Sequence, residues 1–406
     1  MKLKTFLCAI ALLIALVSVQ GQSAEKITSG VSIDRLKRYE TFIKSEIDHN
    51  NIPGAVALII RNGTVVHQGV YGYSNLADKT AMKPDDLFFI QSMTKPIITV
   101  AFMMLYEEGK FQLTDPVSKY IPAFKDLRVS KDVNKGMAGE TEPLTKEITI
   151  AHLLSHTSGL THGLGQSQLD KDFMKEYFMQ PWTDIKGRVS AITKVPLVGQ
   201  PGNQWYYSVA PDVLSLLIEQ FSGMSTQDFL TERIFKPLGM KDTGYNLSKA
   251  QQARVVKVHS NSDGVLTVTK DQPKSEGNTL WSGVNGLFSS AQDYATFCQM
   301  LLNNGKWNGK QLLSRKTVEL MTYNHVGKLY NRPGEGFGYG FAVMMDVADS
   351  NLSGSNGIFY WAGAFNTHFF IDPKEKLICI FMTQEAHFNI FYHDKMRQMV
   401  YQAIVD

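Results

Sequence analysis

Phe89-Ile90-Gln91-Ser92-Met93-Thr94-Lys95-Pro96-Ile97-Ile98 sets a serine three residues ahead of a lysine at the head of an apolar run. If the backbone turns helical at Ser92, residues i and i+3 share a face, and the lysine amine reaches the serine hydroxyl. A hydroxyl is a weak nucleophile until a neighbouring base takes its proton, and a lysine desolvated enough to be neutral can take it. The unpaired N–H groups and positive dipole end of a helix start lie where a negative oxygen would form. The same pair also fits a helix N-cap serine followed by a solvated lysine, so the rest of the chain has to decide. The run that follows, Ile97 to Tyr106, is apolar all round, which predicts a central buried helix closed by Gly109. Such a helix would hold Ser92 on a rigid element.

Working outward, Ile33, Leu36, Tyr39, Ile43 and Ile47 recur at helical spacing before Pro53-Gly54. Val56 to Ile60 reads as a strand, Asn62-Gly63 as a hairpin turn, and Val65-Val66 as the start of the returning strand. From Leu113-Thr114-Asp115-Pro116 to about Gly283 the pattern is mostly helices and long loops. Val213, Leu216, Leu217 and Phe221 mark one helix, stopped by Gly223. The polar segment Asn261 to Asn278 reads as an exposed excursion, and Ala291 to Leu302 as a further helix. Strands return at Phe341 to Met345, His368 to Ile371 and Leu377 to Met382, the last two joined by a turn at Asp372-Pro373-Lys374-Glu375. A final helix puts Met396, Met399, Val400, Ala403 and Ile404 on one face. Helix, hairpin, helical middle, strands, helix predicts an α+β fold. One antiparallel sheet (about 30–110 and 285–406) would be covered by the terminal helices, with a mostly helical lobe (about 111–284) inserted. The cleft between sheet and lobe is the expected site.

With 406 residues, 44% hydrophobic and 19% charged, the chain can bury a large core. A net charge of +3 with interspersed signs gives no reason to expect a nucleic-acid partner. Residues 1–23 have the pattern of a signal peptide: Lys2 and Lys4, an apolar stretch from Phe6 to Val19, then Gln20-Gly21-Gln22-Ser23. That predicts export to a periplasmic or secreted location, cleavage between Gly21 and Ala24, and a mature chain of 24–406. The apolar stretch is shorter than the roughly 20 residues of a spanning helix. Of the three cysteines, Cys8 falls in this segment, while Cys298 and Cys379 sit in apolar neighbourhoods as buried small hydrophobes. His152 and His156 have metal-ligand spacing but lack the glutamate of a HExxH motif, so no metal site is expected. No GxSxG elbow, Walker or dinucleotide motif is present, and no cofactor is implied. His162, His387 and His393 read as solvated or satisfied, and Asp115 as a turn cap.

Seven segments then recur in a specific order: Ser92-Met93-Thr94-Lys95; Gly109-Lys110-Phe111-Gln112-Leu113-Thr114-Asp115-Pro116; Ile148-Thr149-Ile150-Ala151-His152-Leu153-Leu154-Ser155-His156-Thr157-Ser158-Gly159-Leu160; Pro201-Gly202-Asn203-Gln204-Trp205-Tyr206-Tyr207-Ser208; Phe235-Lys236-Pro237-Leu238-Gly239-Met240; Gly283-Val284-Asn285-Gly286-Leu287; and Trp361-Ala362-Gly363. In order and spacing the chain resembles the serine beta-lactamase and penicillin-binding-protein superfamily, nearest to its class-C-like branch and the family VIII carboxylesterases.

The resemblance implies Ser92 as nucleophile, with Lys95 and Tyr207 managing the proton. Tyr206 is the competing tyrosine. A cation beside Tyr207 would favour the phenolate and make it a better base; whether Lys95 or Tyr207 is the base stays open. Where the family has Tyr-x-Asn, this chain has Tyr207-Ser208-Val209, so Val209 replaces an amide that would contact substrate. The family's Lys-Thr-Gly is replaced by Trp361-Ala362-Gly363-Ala364. Gly363 would let substrate approach the backbone, and the Ala364 and Ser92 N–H groups would form the oxyanion hole. A neutral indole at Trp361, in place of a lysine, implies uncharged esters or amides as substrates. The expectation is an exported serine hydrolase acting on small neutral carboxylic esters through an acyl-enzyme. A beta-lactamase or D-amino-acid peptidase of the same fold is the alternative, and a non-catalytic binding module the remote one. Oligomeric state is left open.

Overall fold

The computed structural model describes residues 26–406, so the expected signal segment and Cys8 lie outside the described residues. Gly54-Ala55-Val56-Ala57-Leu58-Ile59-Ile60-Arg61 is buried at every position, as a strand covered on both faces must be. This strand, β1 (Gly54–Arg61), turns at Asn62-Gly63 with φ of 52° and 72°, the paired positive values that a two-residue hairpin requires. It returns as β2 (Thr64–Asn75), followed by a short edge strand β3 (Thr80–Ala81). From the other end of the chain come β4 (Glu335–Phe337), β5 (Ala342–Met344), β6 (Phe359–Gly363), β7 (Thr367–Asp372) and β8 (Leu377–Met382). All eight form one sheet in the order β4-β5-β6-β7-β8-β1-β2-β3, each neighbouring pair antiparallel. Its centre is the pairing of β1 with β8, where Leu58 faces Ile380.

Alternation of side chains along these strands divides the interior in two. Ala55, Ala57, Ile59, Cys379 and Phe381 pack with Leu36, Tyr39 and Ile43 of α1 (Ile33–Asp48) and with Met396 and Val400 of the last helix, Phe391–Tyr401. The alternate positions Val56, Leu58, Ile60, Ile378 and Ile380 face α2 (Thr94–Glu107) and the helix Ala291–Leu302, together with the lobe. Every residue of α2 from Thr94 to Leu105 is buried, so its all-round apolar character is explained by its central place. Within the lobe, α3 (Gln168–Tyr177) packs on α4 (Ile185–Ile192), α4 on α5 (Ala210–Ser222), and α5 on α2. The helix Ala291–Leu302 is α6 and the helix Phe391–Tyr401 is α7. Gly223 at φ 71° ends α5 and Gly109 at φ 72° follows α2.

The stretch Asn261 to Asn278 is largely exposed, and it carries part of a ribbon: His259–Ser262 pairs with Val265–Val268 around Asp263-Gly264, both at positive φ, a turn pair the polar composition concealed. One expectation needs correction: the α-helix does not begin at Ser92; a single 3-10 turn, Gln91–Met93, precedes α2. No helix among the described residues is long and apolar enough to cross a membrane.

Candidate active site

Ser92 sits in the middle of that 3-10 turn, after Gln91 at φ 48°, a conformation side chains seldom adopt. The turn is held from the α6 side: Ile90 N donates to Leu287 O at 3.0 Å, and the Tyr294 hydroxyl donates to Met93 O at 3.0 Å. One turn further on, Lys95 is only 1% exposed. Its Nζ is 2.9 Å from Ser92 Oγ and 2.9 Å from Val284 O, and lies 4.6 Å from the centre of the Tyr207 ring. Serine and lysine therefore do share a face, and the amine has left water.

Tyr207 is brought in by the segment Ser155 to Thr161. Tyr206 N donates to His156 O at 2.9 Å, Gly202 N to Thr157 O at 2.7 Å, and Val209 N to Thr161 O at 3.2 Å. His156, at φ 56°, accepts Ser208 N on Nδ1 and packs its ring 5.0 Å from that of Tyr207. Its imidazole is pushed down to about 3 by burial and by Lys95, so it packs as a neutral ring. His152 is likewise structural, its Nδ1 accepting Thr149 N at 3.1 Å in a capping box. His162 was expected to be solvated or satisfied. It is neither: it stacks on Tyr207 at 5.1 Å and 5°, and its buried Nδ1 has no hydrogen-bond partner. His393 is also buried, bonded to Asp394 through Nδ1 but unpartnered at Nε2, whereas His387 is exposed and pairs with Glu385. Tyr206 points elsewhere, its hydroxyl donating to Asp170, which leaves Tyr207 as the tyrosine of the site.

Behind Lys95 lies a buried group that sequence reading did not find. Asp212, on the first turn of α5, accepts Val284 N at 2.9 Å, Ser282 Oγ at 2.7 Å and the Tyr177 hydroxyl, and it pairs with Arg188 at 3.2 Å. It thereby fixes the strand of loop whose carbonyl holds Lys95. Asp212 stands five residues after Tyr207, so an acid at a helix start was visible in the sequence. Its partners from α3, α4 and Ser282-Gly283-Val284 carried no local signal. Burial holds the Lys95 amine well below its ordinary value; Asp212 opposes this and Arg188 adds to it. Burial pushes the Tyr207 phenol well up, with Ser92 and Trp361 pulling it back. Burial thus works against the phenolate that a cation beside Tyr207 would favour.

The opposite wall is the end of β6. The cleft encloses about 630 Å³ and is lined by Ser92, Tyr207, Trp361, Gly363 and Ala364 among others. Trp361 lies 5.4 Å from Tyr207, ring to ring. Gly363 has a packing reason besides the one expected. A Cβ there would meet Ile90 O and Thr367 Oγ1, each at 2.3 Å, so the Ser92 turn also comes close to this residue, which lines the cleft. Val209 is also corrected: it is 0% exposed, precedes α5, and takes no part in lining the cleft. Among the described residues no group of His, Cys, Asp and Glu is placed to hold a metal ion. A larger groove of about 750 Å³ beside Gln299 and Trp307 contains none of these residues.

A buried amine against a serine hydroxyl, with a phenol ring packed beside it, can support acyl transfer. Comparison with known proteins agrees with that chemistry. A family model described as Beta-lactamase matches residues 39–400. Protein Rv1367c of Mycobacterium tuberculosis is 31% identical over 359 residues, covering 85% of this chain and 88% of its own. Esterase EstB of Burkholderia gladioli is 26% identical over 370 residues, covering 86% and 90%. The solved structure of EstCE1, described as a hydrolase with promiscuous acyltransferase activity, superposes with a TM-score of 0.76 at 26% identity, covering 91% of this chain and 99% of that one. The chain belongs to the beta-lactamase family and is a serine hydrolase of that fold.

Proposed function

We propose that the protein is an exported hydrolase that cleaves small neutral carboxylic esters through an acyl-enzyme on Ser92. The observation that carries the reading is the fully buried Lys95 amine 2.9 Å from the Ser92 hydroxyl. With the amine neutral, that contact runs from the Ser92 O–H to the nitrogen lone pair. Ser92 Oγ attacks the ester carbonyl while Lys95 takes its proton. The N–H groups of Ser92 and Ala364 receive the oxyanion. The Tyr207 phenol gives its proton to the departing alkoxide and recovers one from the Lys95 ammonium. Water then repeats the sequence on the acyl-enzyme and releases the acid. Trp361, a neutral indole where the family has a lysine, supports an uncharged substrate; similarity to esterase EstB supports an ester. Lys2, Lys4 and the apolar stretch to Val19 support export.

The test compares the purified protein with Ser92→Ala on short-chain nitrophenyl esters, a chromogenic cephalosporin and a D-Ala-D-Ala peptide, with a fluorophosphonate label. Ester turnover should lead, and Ser92→Ala should lower it by about 10⁴ or more. Cephalosporin turnover above ester turnover would overthrow the substrate class. Absence of both labelling and turnover would overthrow the catalytic assignment.

A further inference from the structure

The cleft in front of Ser92 is lopsided in its chemistry. Rings and alkyl groups from Trp205, Tyr330, Trp361, Phe388 and Ile390 make up most of its wall, and among the described residues Arg332 is the one charged side chain that lines it. A lane of rings leads away from the nucleophile: Tyr207 faces Trp205 at 6.2 Å between centroids, and Trp205 meets Tyr330 edge-on at 4.7 Å. Arg332 follows two residues after Tyr330. At the mouth, Leu164 and Phe388 remain 63% and 51% exposed, apolar surface that an apolar substrate arm would cover.

Arg332 is a tethered cation. Its Nε lies 3.3 Å from Glu335 Oε2 and its Nη2 donates to Asp394 Oδ1 at 3.5 Å, while 30% of the side chain stays exposed. Glu335 is in turn fixed by the Tyr360 hydroxyl at 2.5 Å. These contacts engage two of the five N–H groups of a guanidinium, so donors are left for the cleft. Two flanking carboxyl groups offset the charge, and a second carboxylate arriving there would meet Asp394 as well. Arg332 lines both this cleft and the neighbouring groove of Lys328 and Asp346, and a guanidinium flanked by two carboxyl groups presents hydrogen-bond donors with little net field, suited to a neutral oxygen acceptor. An apolar arm without such an acceptor would strip water from those N–H groups and return nothing.

Resting on the ester-hydrolase reading, we propose that Arg332 is a specificity residue that donates to a second carbonyl oxygen at the far end of the substrate's apolar arm. The substrate class is then an ester whose acyl chain also carries a ketone, an amide or a further ester.

The test uses nitrophenyl esters with matched acyl chains of about six to ten carbons: plain, carrying a ketone at the penultimate carbon, or ending in a carboxylate. At one chain length the ketone should exceed the plain chain in kcat/KM by roughly 10-fold or more, with the carboxylate below the ketone. Arg332→Met should bring the ketone-to-plain ratio close to one, and Arg332→Gln, which keeps an N–H donor, should retain part of it. Because the ratio is taken within each protein, a general loss of activity cancels. Equal turnover of plain and ketone chains at every length overturns the inference, as does a ratio that survives Arg332→Met. A carboxylate preferred to the ketone overturns the neutral-acceptor assignment. Binding of the same intact esters to Ser92→Ala, followed by tryptophan fluorescence, yields the ratio without turnover. It therefore decides the inference separately from the hydrolytic reading.

Discussion

Lys95 and Tyr207 divide one proton, and burial decides how. Burial depresses the amine and raises the phenol, and in the proposed mechanism the nitrogen 2.9 Å from Ser92 serves as base and the phenol as donor. Two substitutions separate these roles. Lys95→Arg, whose guanidinium does not lose its proton, should slow fluorophosphonate labelling of Ser92 by about 10³ at every pH. In the native protein, labelling should rise with pH through the depressed lysine pKa and level off. Tyr207→Phe should leave labelling within a few fold, because fluoride departs without an acid, yet lower ester turnover by about 10². Labelling that collapses in Tyr207→Phe and survives in Lys95→Arg would reverse the assignment. Val209 belongs to the same scale. Val209→Asn, which restores the family residue, would bury an unpaired amide and cost about 1–3 kcal/mol in urea unfolding, with no gain in cephalosporin turnover. Ser92 and Lys95 were legible as a pair at helical spacing, and Tyr207 through the resemblance of its segment to the family. Asp212, Arg188 and Arg332 were not, because their roles depend on partners that only the folded chain supplies.

At the level of elements, the site is a contact between a turn and a strand end. The 3-10 turn Gln91–Met93 packs against the end of β6 so closely that only a residue without Cβ fits at 363. Gly363→Ala should push β6 off Ile90 O, costing about 1–3 kcal/mol in stability. It should also slow ester turnover by roughly 10²-fold through displacement of Ala364 from Ser92. Equal loss of stability with full turnover would show that the spacing of turn and strand does not matter to the chemistry. Gly283 makes the comparable approach behind Lys95, where a Cβ would meet Pro211 O at 2.1 Å, so the loop holding the amine is seated directly on α5. Elements whose hydrophobic period settles their type, such as α1, α2, β1 and β8, were readable from the chain. The 3-10 turn and the ribbon at His259–Ser262 were not, since a few residues of turn chemistry leave no period.

On the scale of the whole molecule, the sheet joins both ends of the chain and buries a large share of its histidines. His67, His152, His156, His162, His259, His325, His368 and His393 are all depressed chiefly by burial. A histidine whose folded pKa lies below its unfolded value takes up protons more readily when unfolded. Its contribution is therefore intact above about pH 6.5 and is lost as the pH falls toward the folded pKa. His156, down to about 3, and His393, down to about 4, should each withdraw about 2 kcal/mol by pH 5. Asp86 and Asp293, both raised to about 6, act in the opposite sense and return about 1 kcal/mol each. His162 and His368, fully enclosed and pushed well down, tip the balance toward acid instability. Between pH 7 and pH 5 the urea midpoint should fall by an amount equivalent to at least about 2 kcal/mol. His393→Phe keeps a ring stacked on Tyr360 and should remove about 2 kcal/mol of that dependence. A midpoint independent of pH across this range would mean that the buried histidines take up their protons without opening the fold. The same acid instability should be visible in Ser92→Ala, because it arises from the sheet and its covering helices and not from acyl transfer.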